Sequence, residues 1–562
     1  MFRRSGRLFV ALLTVSLLAA ACGSDGDDAT TADSSAAATT AAPATTAAVT
    51  IPEHTVAPEE EEAPAEEAPA EEEAPATTTT EAVPPPEGTL RYVEFSAVTT
   101  FNPAGAQAAQ SVYVYPVYDT LTRQRADLTL APSLATSWSQ PEPAIWEFTV
   151  RDDVVFHDGA AFNAQVAVDN LLYHKNFEGN PNKGTWAAIT DVTLVDDITF
   201  QVHFEVPAPQ FPLEMSMVMG MMISPNALDG TDISRDPQGS GPWIWSAEDS
   251  QAGVTEVFNL NPNYWNPADQ GVETVTVTAA KDNVARLNAF LTGEADIMST
   301  VRDAQLDGAM EPGNVHLGVP NYFPYLLITG RDGAIDAPLA DIRVRQAILY
   351  SIDREAYNAA IHAGKGDSFG GIYPRAFSQF HVPALDDAYP YDPDKARELL
   401  AEAGYPDGIT IQAPIMPVIN PHVEMFSQML AASGITVDQI QINNGELGPR
   451  TRKGEWGITW FRDLLVHPAR DFGKFISTTG AFNPFGLDDL ADLEVMMTEA
   501  ANETDAVKSS AIYAEVATQL VERGVIIPLA HGQQNNVHTP NLTGVVLGLN
   551  MQAAMPYGVR LG

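Results

Sequence analysis

The sequence of 562 residues has a single cysteine, Cys22, and few basic residues. One thiol cannot close an internal disulfide or build a zinc site that needs several cysteines. The 30 Lys and Arg stand against 73 Asp and Glu, which gives a formal net charge of −43. Phosphate backbones and anionic membrane surfaces are bound through clustered Lys and Arg. The composition therefore excludes a disulfide-rich scaffold and argues against a nucleic-acid partner.

Long apolar runs are also scarce, and the longest one stands at the N-terminus. It extends from Leu8 to Ala21 and follows Arg3, Arg4 and Arg7. This run is shorter than the roughly 20 apolar residues that a membrane-spanning helix needs. A basic segment followed by an apolar one is typical of a secretory signal. We predict a signal peptide over residues 1–21.

The segment Leu18-Ala19-Ala20-Ala21-Cys22 resembles the lipobox of bacterial lipoproteins, although leucine is more usual at the position of Ala19. The resemblance implies that Cys22 becomes a lipidated N-terminus. The chain would then be anchored at the extracellular face of the cytoplasmic membrane or in the periplasm. The alternative is a plain secretory signal that ends beside an incidental cysteine.

Residues 22–87 have the composition of a tether. From residue 23 onward they contain 4 Asp and 12 Glu, no Lys or Arg, and much Pro, Ala and Thr. Such a segment cannot bury enough apolar surface to offset its ordering entropy. We predict a disordered acidic tether between the membrane and the folded part.

The remaining chain is long enough for several domains and shows both periodicities of regular structure. Alternating apolar residues predict strands at Thr89–Phe95, Ile145–Val150 and Val272–Thr278, and a hairpin over 191–206.

Capping residues predict helices further along the chain. Asp341 can cap one helix, Asp392-Pro393 can open a second that ends at Gly404, and Tyr513–Glu522 reads as a third. The mixture predicts an α/β or α+β protein with mixed sheets.

Signatures of common enzyme classes are missing. The sequence has no phosphate-binding Gly-x-x-x-x-Gly-Lys-Ser/Thr, no His-Glu-x-x-His and no Gly-x-Ser-x-Gly. His157 and Asp158 are adjacent, which favours a turn over a catalytic pair. The 11 His show no spacing typical of metal ligands. An enzyme is therefore disfavoured, and we expect no metal site.

A set of short motifs occurs in one fixed order along the folded part. They are Leu134–Trp138 (LATSW), Trp146–Arg151 (WEFTVR), Val155–Gly159 (VFHDG), Pro237–Trp243 (PQGSGPW), Asn261–Trp265 (NPNYW), Gly293–Ile297 (GEADI), Pro338–Ala347 (PLADIRVRQA), Ser351–Arg354 (SIDR), Tyr391–Leu400 (YDPDKARELL) and Ala403–Tyr405 (AGY). The ordered set resembles family 5 of the extracellular solute-binding proteins, which serve peptide/nickel-type ABC importers. The resemblance covers about residues 88–562.

This resemblance implies a two-lobed, periplasmic-binding-protein-like α/β fold (type II, large cluster with an extra subdomain) with mixed sheets. Lobe I would comprise 88–325 plus 528–562, with a subdomain at about 131–229, and lobe II would comprise 326–527. Hinge segments would lie near Tyr322–Tyr325 and Ile526–Pro528. Ligand bound between the lobes would stabilise the closed state.

The resemblance also implies a role for Asp463. In peptide-binding members a Trp-x-x-Asp motif places a carboxylate against the ligand's α-amino group, and Trp460 and Asp463 match that spacing, with Phe461 between them. A desolvated carboxylate selects a cationic partner. The alternative is that Asp463 pairs internally with Arg462 or another arginine.

Further candidates for the ligand site are aromatic or basic residues at positions where relatives face the cleft. They are Tyr113, Tyr115, Phe323, Tyr325, Tyr373 and Arg375. For each, packing in the core or at the rim is an open alternative. Aromatic walls with a few directed polar groups suit a solute pocket.

These observations together predict a monomeric, lipid-anchored receptor that hands a short peptide to an ABC permease and its ATPase. No cofactor and no catalytic residue are expected. The alternatives are another solute, such as an oligosaccharide or a metal chelate, or less plausibly a secreted hydrolase or a sensory receptor.

Overall fold

The computed structural model describes residues 84–106, 110–125, 129–180, 186–228, 232–417, 419–443, 446–548 and 553–562. The predicted signal peptide, Cys22 and the tether up to residue 83 lie outside the described residues. The carbonyl of Pro84 accepts a hydrogen bond from Arg560 at 3.0 Å, and the N–H of Glu87 donates to Gly271 at 3.3 Å.

Strands in the described residues are numbered in chain order. They are β1 (Thr89–Glu94), β2 (Thr122–Gln124), β3 (Leu130–Pro132), β4 (Ala135–Glu142), β5 (Ile145–Val150), β6 (Ile189–Asp196), β7 (Thr199–Phe204), β8 (Trp243–Trp245), β9 (Thr255–Leu260), β10 (Thr274–Ala279), β11 (Ile297–Val301), β12 (Val315–Ile328), β13 (Ile409–Ile415), β14 (Ile435–Gln441), β15 (Ile458–Leu464), β16 (Ile526–Pro528), β17 (Gly532–His538), β18 (Leu542–Thr543) and β19 (Arg560–Leu561).

Helices are numbered in the same way. They are α1 (Ser111–Val114), α2 (Ala164–Asn176), α3 (Phe211–Glu214), α4 (Pro225–Leu228), α5 (Asn283–Leu291), α6 (Asp303–Ala309), α7 (Ile342–Tyr350), α8 (Arg354–Ile361), α9 (Pro393–Glu402), α10 (Asn420–Ala432), α11 (Leu447–Thr451), α12 (Pro468–Ile476), α13 (Ala491–Asn502) and α14 (Ala506–Glu522). No described helix is both long enough and apolar enough to cross a membrane.

The largest sheet has nine strands and is mixed. Its order is β15-β12-β17-β11-β1-β10-β9-β8, and β16 also pairs with β12. Strand β1 is parallel to both β10 and β11, whereas β12 is antiparallel to β15, β16 and β17. The predicted class, α/β with mixed sheets, is confirmed.

The longest strand, β12, links two parts of this sheet. Its first half, Val315–Tyr322, pairs with β17, and its second half, Tyr322–Ile328, pairs with β15 and β16. The register is irregular between Val319 and Tyr322. Since β16 and β17 follow each other closely in sequence, this second segment pairs with β12 along most of the length of β12. The two segments coincide with the predicted hinge segments, which remain a prediction.

A four-stranded sheet, β4-β5-β7-β6, forms a separate small layer. Its buried side chains, among them Phe148 and Phe200, pack with helix α2 into a core of their own. These residues fall within the range predicted for the inserted subdomain.

Most predicted elements agree with the structure, and two bounds need correction. Strand β10 begins at Thr274 rather than Val272, and helix α14 begins at Ala506 rather than Tyr513. The helix begins earlier because the side chain of Asp505 accepts hydrogen bonds from the N–H groups of Val507 and Lys508.

Candidate functional site

Four of the predicted ligand residues share one face of two paired strands. In the antiparallel register of β12 and β15, Phe323 lies opposite Asp463 and Tyr325 lies opposite Phe461. Directly opposite residues project to the same side of a sheet, as do residues two apart. We call Phe323, Tyr325, Phe461 and Asp463 the carboxylate face.

Asp463 is engaged by two donors on this face. Its Oδ2 accepts a hydrogen bond from the Tyr325 hydroxyl at 2.7 Å and from Lys474 Nζ at 2.6 Å. The side chain of Asp463 is 20% exposed and that of Lys474 is 25% exposed. Burial, and next the charge of Asp463, raise the pKa of the Tyr325 hydroxyl well above its usual value. The Asp463 carboxylate is therefore bound by the neutral phenol of Tyr325 and the ammonium of Lys474.

The internal partner of Asp463 is thus Lys474 and not Arg462. Successive residues of a strand point to opposite faces, so Arg462 points away from Asp463. Its guanidinium lies 5.3 Å from the centre of the Tyr322 ring. The alternative in which Arg462 neutralises Asp463 is therefore wrong.

Helix α12 brings Lys474 back to the strand because its first turn is tied to the preceding loop. Asp471 Oδ2 accepts from the N–H groups of Val466 at 2.9 Å and His467 at 3.1 Å. The hydroxyl of Tyr373, another predicted site residue, donates to the same oxygen at 2.6 Å. Burial raises the pKa of Asp471 above its usual value. A second carboxylate thus lies beside the carboxylate face.

A stack of rings extends from this face. The imidazole of His531 lies between Phe323, with ring centres 4.8 Å apart, and Phe369, with ring centres 4.3 Å apart. Arg375 lies 5.2 Å above the Phe369 ring. Arg375 is also paired with Asp367 at 2.7 Å and Asp386 at 2.8 Å, so its charge is already compensated within the chain.

Trp460 lies on the other side of β15, away from Asp463. Its ring centre is 4.4 Å from that of His422, and its indole N–H donates to the Tyr357 hydroxyl at 3.4 Å. The Tyr357 oxygen lies 2.6 Å from His422 Nδ1. The structure therefore does not bring Trp460 and Asp463 together on one face.

Tyr113 and Tyr115 are buried at a different place. The Tyr113 hydroxyl donates to the carbonyl of Ser96 at 2.6 Å, and the Tyr115 hydroxyl donates to that of Ser216 at 3.0 Å. No hydrogen bond or ring contact among the described residues joins either tyrosine to the carboxylate face. Tyr115 is nevertheless connected to the segment that follows helix α3.

Sequence reasoning missed Glu214, at the end of α3. The residue is 2% exposed, and neither carboxylate oxygen has a hydrogen-bond partner in the described part of the chain. Burial raises its pKa to about 7, the charge of Arg470 acts to lower it, and that of Asp471 acts to raise it. Glu214 therefore lies near the first turn of α12. A glutamate within a short apolar stretch, between Leu213 and Met215, is the one sequence signal that marks it.

Two further amides are buried without partners on the paired strands β12 and β17. Asn321 on β12 and Gln534 on β17 have no hydrogen-bond partner in the described residues for either side-chain amide atom. Asn321 lies in the irregular part of the β12 register, between Val319 and Tyr322. Buried amides usually find partners, so these are further candidates for contact with a bound molecule.

A surface groove of about 200 Å³ lies along another part of β12. It is lined by Leu317, Gly318, Val319, Pro320, Val545, Val546 and Leu547. None of the predicted ligand residues lies in it. Among the described residues, no group of three or more His, Cys, Asp or Glu is placed to hold a metal ion.

Comparison with known proteins identifies the family. The model of bacterial extracellular solute-binding proteins, family 5 (middle), matches residues 129–472. Among curated proteins, the glutathione-binding protein GsiB of Salmonella paratyphi A is 29% identical over 477 residues, which cover 80% of this chain and 90% of that protein. The heme-binding protein A of Haemophilus influenzae is 24% identical over 519 residues, covering 84% and 92% respectively.

Solved structures confirm the fold. The periplasmic binding protein DppA of Helicobacter pylori, in complex with the peptide STSA, matches with a TM-score of 0.70 at 20% identity, over 84% of this chain and 98% of that one. The predicted two-lobed periplasmic-binding-protein fold is therefore confirmed.

Proposed function

Because this chain belongs to family 5 of the bacterial extracellular solute-binding proteins, we propose that it captures a short peptide outside the cell and delivers it to an ABC permease. The carboxylate face is the observation on which the peptide assignment depends. Asp463 lies opposite Phe323 in the pairing of β12 with β15, and its side chain is 20% exposed. Relatives that bind glutathione or peptides support the same ligand class.

The transport cycle requires no covalent chemistry from the protein. Lobe I (88–325 plus 528–562) and lobe II (326–527) would close on the ligand around β12 and β16–β17. Contacts from both lobes would stabilise the closed state, and the ligand would leave unchanged. Lipidation at Cys22 and the acidic tether would hold a monomeric receptor near the permease.

The ligand class can be tested by native mass spectrometry of the purified protein with its co-purified molecule. We expect a peptide mass that is lost on denaturation. Calorimetry with di- to pentapeptides, oligosaccharides and nickel or iron chelates would then rank the classes. Binding of a sugar or a chelate, with no peptide bound, would contradict the proposal. A peptide recovered in cleaved form would instead favour a hydrolase.

The membrane anchor is tested separately with the variant Cys22→Ser. We expect the wild-type protein in the membrane fraction and the variant in the soluble fraction after secretion. Equal membrane association of the two proteins would contradict lipidation at Cys22.

A further inference from the structure

The tip of the β6–β7 hairpin exposes several large apolar side chains within a short stretch. Leu194, Val195 and Ile198 are each at least 40% exposed. Among the described residues, no other segment of five contains two exposed large apolar side chains. Single exposed apolar residues are ordinary on a protein surface, whereas a cluster of them points to an interaction site. We call Leu194–Ile198 the hairpin tip.

The backbone of the hairpin tip is held in place by its neighbours. The carbonyl of Ile198 accepts a hydrogen bond from the N–H of Val150 at 2.7 Å, and the carbonyl of Asp197 accepts from the N–H of Ala164 at 3.0 Å. The N–H of Ile198 donates to Oδ1 of Asp196 at 3.0 Å. The apolar side chains are therefore presented on a fixed backbone, and a partner can bind them without first ordering the tip.

A bulge places Val195 outside the regular strand pairing. Leu194 lies opposite Phe200 and Asp196 lies opposite Thr199, so β6 has one residue more than β7 at this point. Strand β6 is also an edge of its sheet. Bulges and charged residues on an edge strand discourage pairing with the edge of another chain. The tip is therefore suited to a contact through side chains and unsuited to the addition of a strand.

The surroundings of the hairpin tip are acidic. The two backbone N–H groups that bind the tip belong to the residues that flank loop 151–163. This loop and residues 191–198 together contain six Asp and one Arg. That Arg151 lies 2.6 Å from Asp153, and its guanidinium lies 3.7 Å from the centre of the Trp265 ring. The apolar tip thus has an acidic rim, and the guanidinium in it is already engaged within the chain.

The charge of this surface narrows the choice of partner. A second copy of this chain would bring the same aspartates to the contact, and an anionic membrane surface would repel them. A protein surface that combines apolar side chains with Lys or Arg fits both the tip and its rim, because complementary potentials steer association. In the proposed function, the protein that must meet the ligand-loaded receptor is the permease.

We propose that the hairpin tip docks on an extracellular loop of the permease that combines apolar side chains with Lys or Arg. The inference rests on the proposed function and specifies the surface by which the receptor meets its partner. The tip belongs to the four-stranded sheet, whose separate core contains no residue of the carboxylate face. A change at the tip should therefore affect delivery of the ligand and leave its affinity unchanged.

The first test separates ligand binding from ligand delivery. The double variant Val195→Ser/Ile198→Ser removes apolar surface at the tip without a change of charge. Its control is Val495→Ser/Val507→Ser, which replaces two valines that are more exposed and lie on α13 and α14. Calorimetry measures the affinity of each full-length protein for tri-alanine. Uptake of labelled tri-alanine is measured in cells of the source organism that carry the variant in place of the wild-type gene.

We expect the tip variant to bind tri-alanine as tightly as the wild type and to unfold at the same temperature. Its uptake should fall about tenfold or more, because a few apolar side chains dominate the energy of a protein contact. The control variant should transport at the wild-type rate. Unchanged uptake in the tip variant overturns the inference. So does an equal loss in both variants, or a loss of uptake that a loss of ligand affinity explains.

The acidic rim provides an independent variant. Asp197→Lys reverses one charge at the tip, and the control Asp394→Lys reverses one on α9, where the side chain is 90% exposed. Because complementary charges steer association, Asp197→Lys should lower uptake about threefold or more, and the control should not. Unchanged uptake in Asp197→Lys would mean that the partner surface is not basic, which overturns the inference.

Photo-crosslinking in intact cells identifies the partner without reference to the ligand. The photoreactive residue p-benzoylphenylalanine replaces Val195 or, as the control, Val495. A crosslink from the tip to a transmembrane permease subunit, absent from the control, supports the inference. Crosslinks only to a second copy or to lipid, or no crosslink at all, overturn it.

The two proposals fail in different ways. If wild-type cells do not take up tri-alanine while the tip still crosslinks to a permease subunit, the peptide function is wrong and the docking surface stands. If wild-type cells take up tri-alanine and the tip variants do so equally well, the peptide function stands and the docking surface is wrong.

Discussion

At the scale of single residues, the pair Asp463–Lys474 balances the charge of the carboxylate face. Both side chains are partly buried, and the bond joins the end of β15 to α12. Such a pair contributes more to the free energy of unfolding than an exposed pair does, because less solvent screens the two charges.

A double-mutant cycle measures this interaction. We expect Asp463→Ala and Lys474→Ala to show a coupling of about 1 kcal/mol in the free energy of unfolding. The pair Lys395–Glu398 is the control, since its members lie three residues apart on the exposed side of α9 and should couple measurably less. Equal coupling in the two cycles would show that burial does not strengthen the Asp463 pair.

Part of this arrangement was predictable and part was not. Strand alternation alone places Arg462 and Asp463 on opposite faces of β15, so the sequence pattern is sufficient to exclude their pairing. By the same argument Trp460 and Asp463, three residues apart, belong on opposite faces of a regular strand. The positions of Lys474 and Glu214 could not be predicted, because each depends on the path of a loop or on a contact distant in sequence.

At the scale of elements, the ring stack joins β12 to the segment before β17. His531 is neutral there, because burial lowers its pKa to about 3. Its Nε2 lies 2.9 Å from the carbonyl of Gly371. A histidine outside a fold titrates near pH 6.5. Below about pH 6.5, His531 therefore binds a proton in the unfolded chain but stays neutral in the folded chain.

The contribution of neutral His531 to the free energy of unfolding should therefore be complete above about pH 6.5 and should decrease as the pH approaches 3. His531→Phe removes this contribution. Relative to the wild type, the variant should gain about 2 kcal/mol of unfolding free energy between pH 7.5 and pH 5, as measured by urea unfolding. Phe369→Leu loosens the same stack without a titratable group, so its effect should not depend on pH. A pH-independent difference for His531→Phe would contradict the neutral state.

Helix starts were predicted well where the cap is local. Asp341 and Asp392 cap α7 and α9 as expected, because each capping bond spans only two or three residues. The apolar pattern predicts a start of α14 at Tyr513, whereas the helix begins at Ala506, directly after its cap Asp505. The 14-residue strand β12 could not be predicted, since its length depends on partners far away in sequence.

Removal of one cap provides a local test. Asp392→Ala removes the acceptor for the Lys395 N–H, which lies 2.8 Å from Asp392 Oδ1. The loss of about 1 kcal/mol of local helix stability should speed hydrogen exchange in the first turn of α9 roughly fivefold, as measured by mass spectrometry. Asp392→Ser keeps an acceptor and should exchange nearly as slowly as the wild type. Similar fast exchange in both variants would mean that the side-chain cap is unimportant.

At the scale of the whole molecule, the order of motifs was sufficient to predict the family and the two-lobed fold. The motifs are structural, so they specify how the chain folds and contain little information about what it binds. The proposed site instead depends on side chains from β12, β15 and α12, which sequence order separates widely. This is why the fold was predicted in outline while the unpartnered carboxylate was not.

Closure of the proposed lobes should depend on contacts between segments before and after β12. Asp303, on α6, accepts from Asn535 and lies 2.7 Å from Nδ1 of His362, which follows α8. His362 is 3% exposed, so this contact is sheltered from solvent. A contact that forms only in the closed state shifts the population toward that state without touching the ligand.

Asp303→Ala should therefore open the ligand-free protein and weaken ligand binding by about three- to tenfold, equivalent to about 0.7–1.4 kcal/mol. Small-angle scattering should show a larger radius of gyration for the free variant, and saturating ligand should restore the wild-type value. Asp307→Ala is the control, because Asp307 pairs with Lys365 through a side chain that is 84% exposed and should change neither quantity measurably. If Asp303→Ala leaves both the radius and the affinity unchanged, the Asp303–His362 contact does not control closure, and the energy difference between the two states must arise along β12, β16 and β17 themselves.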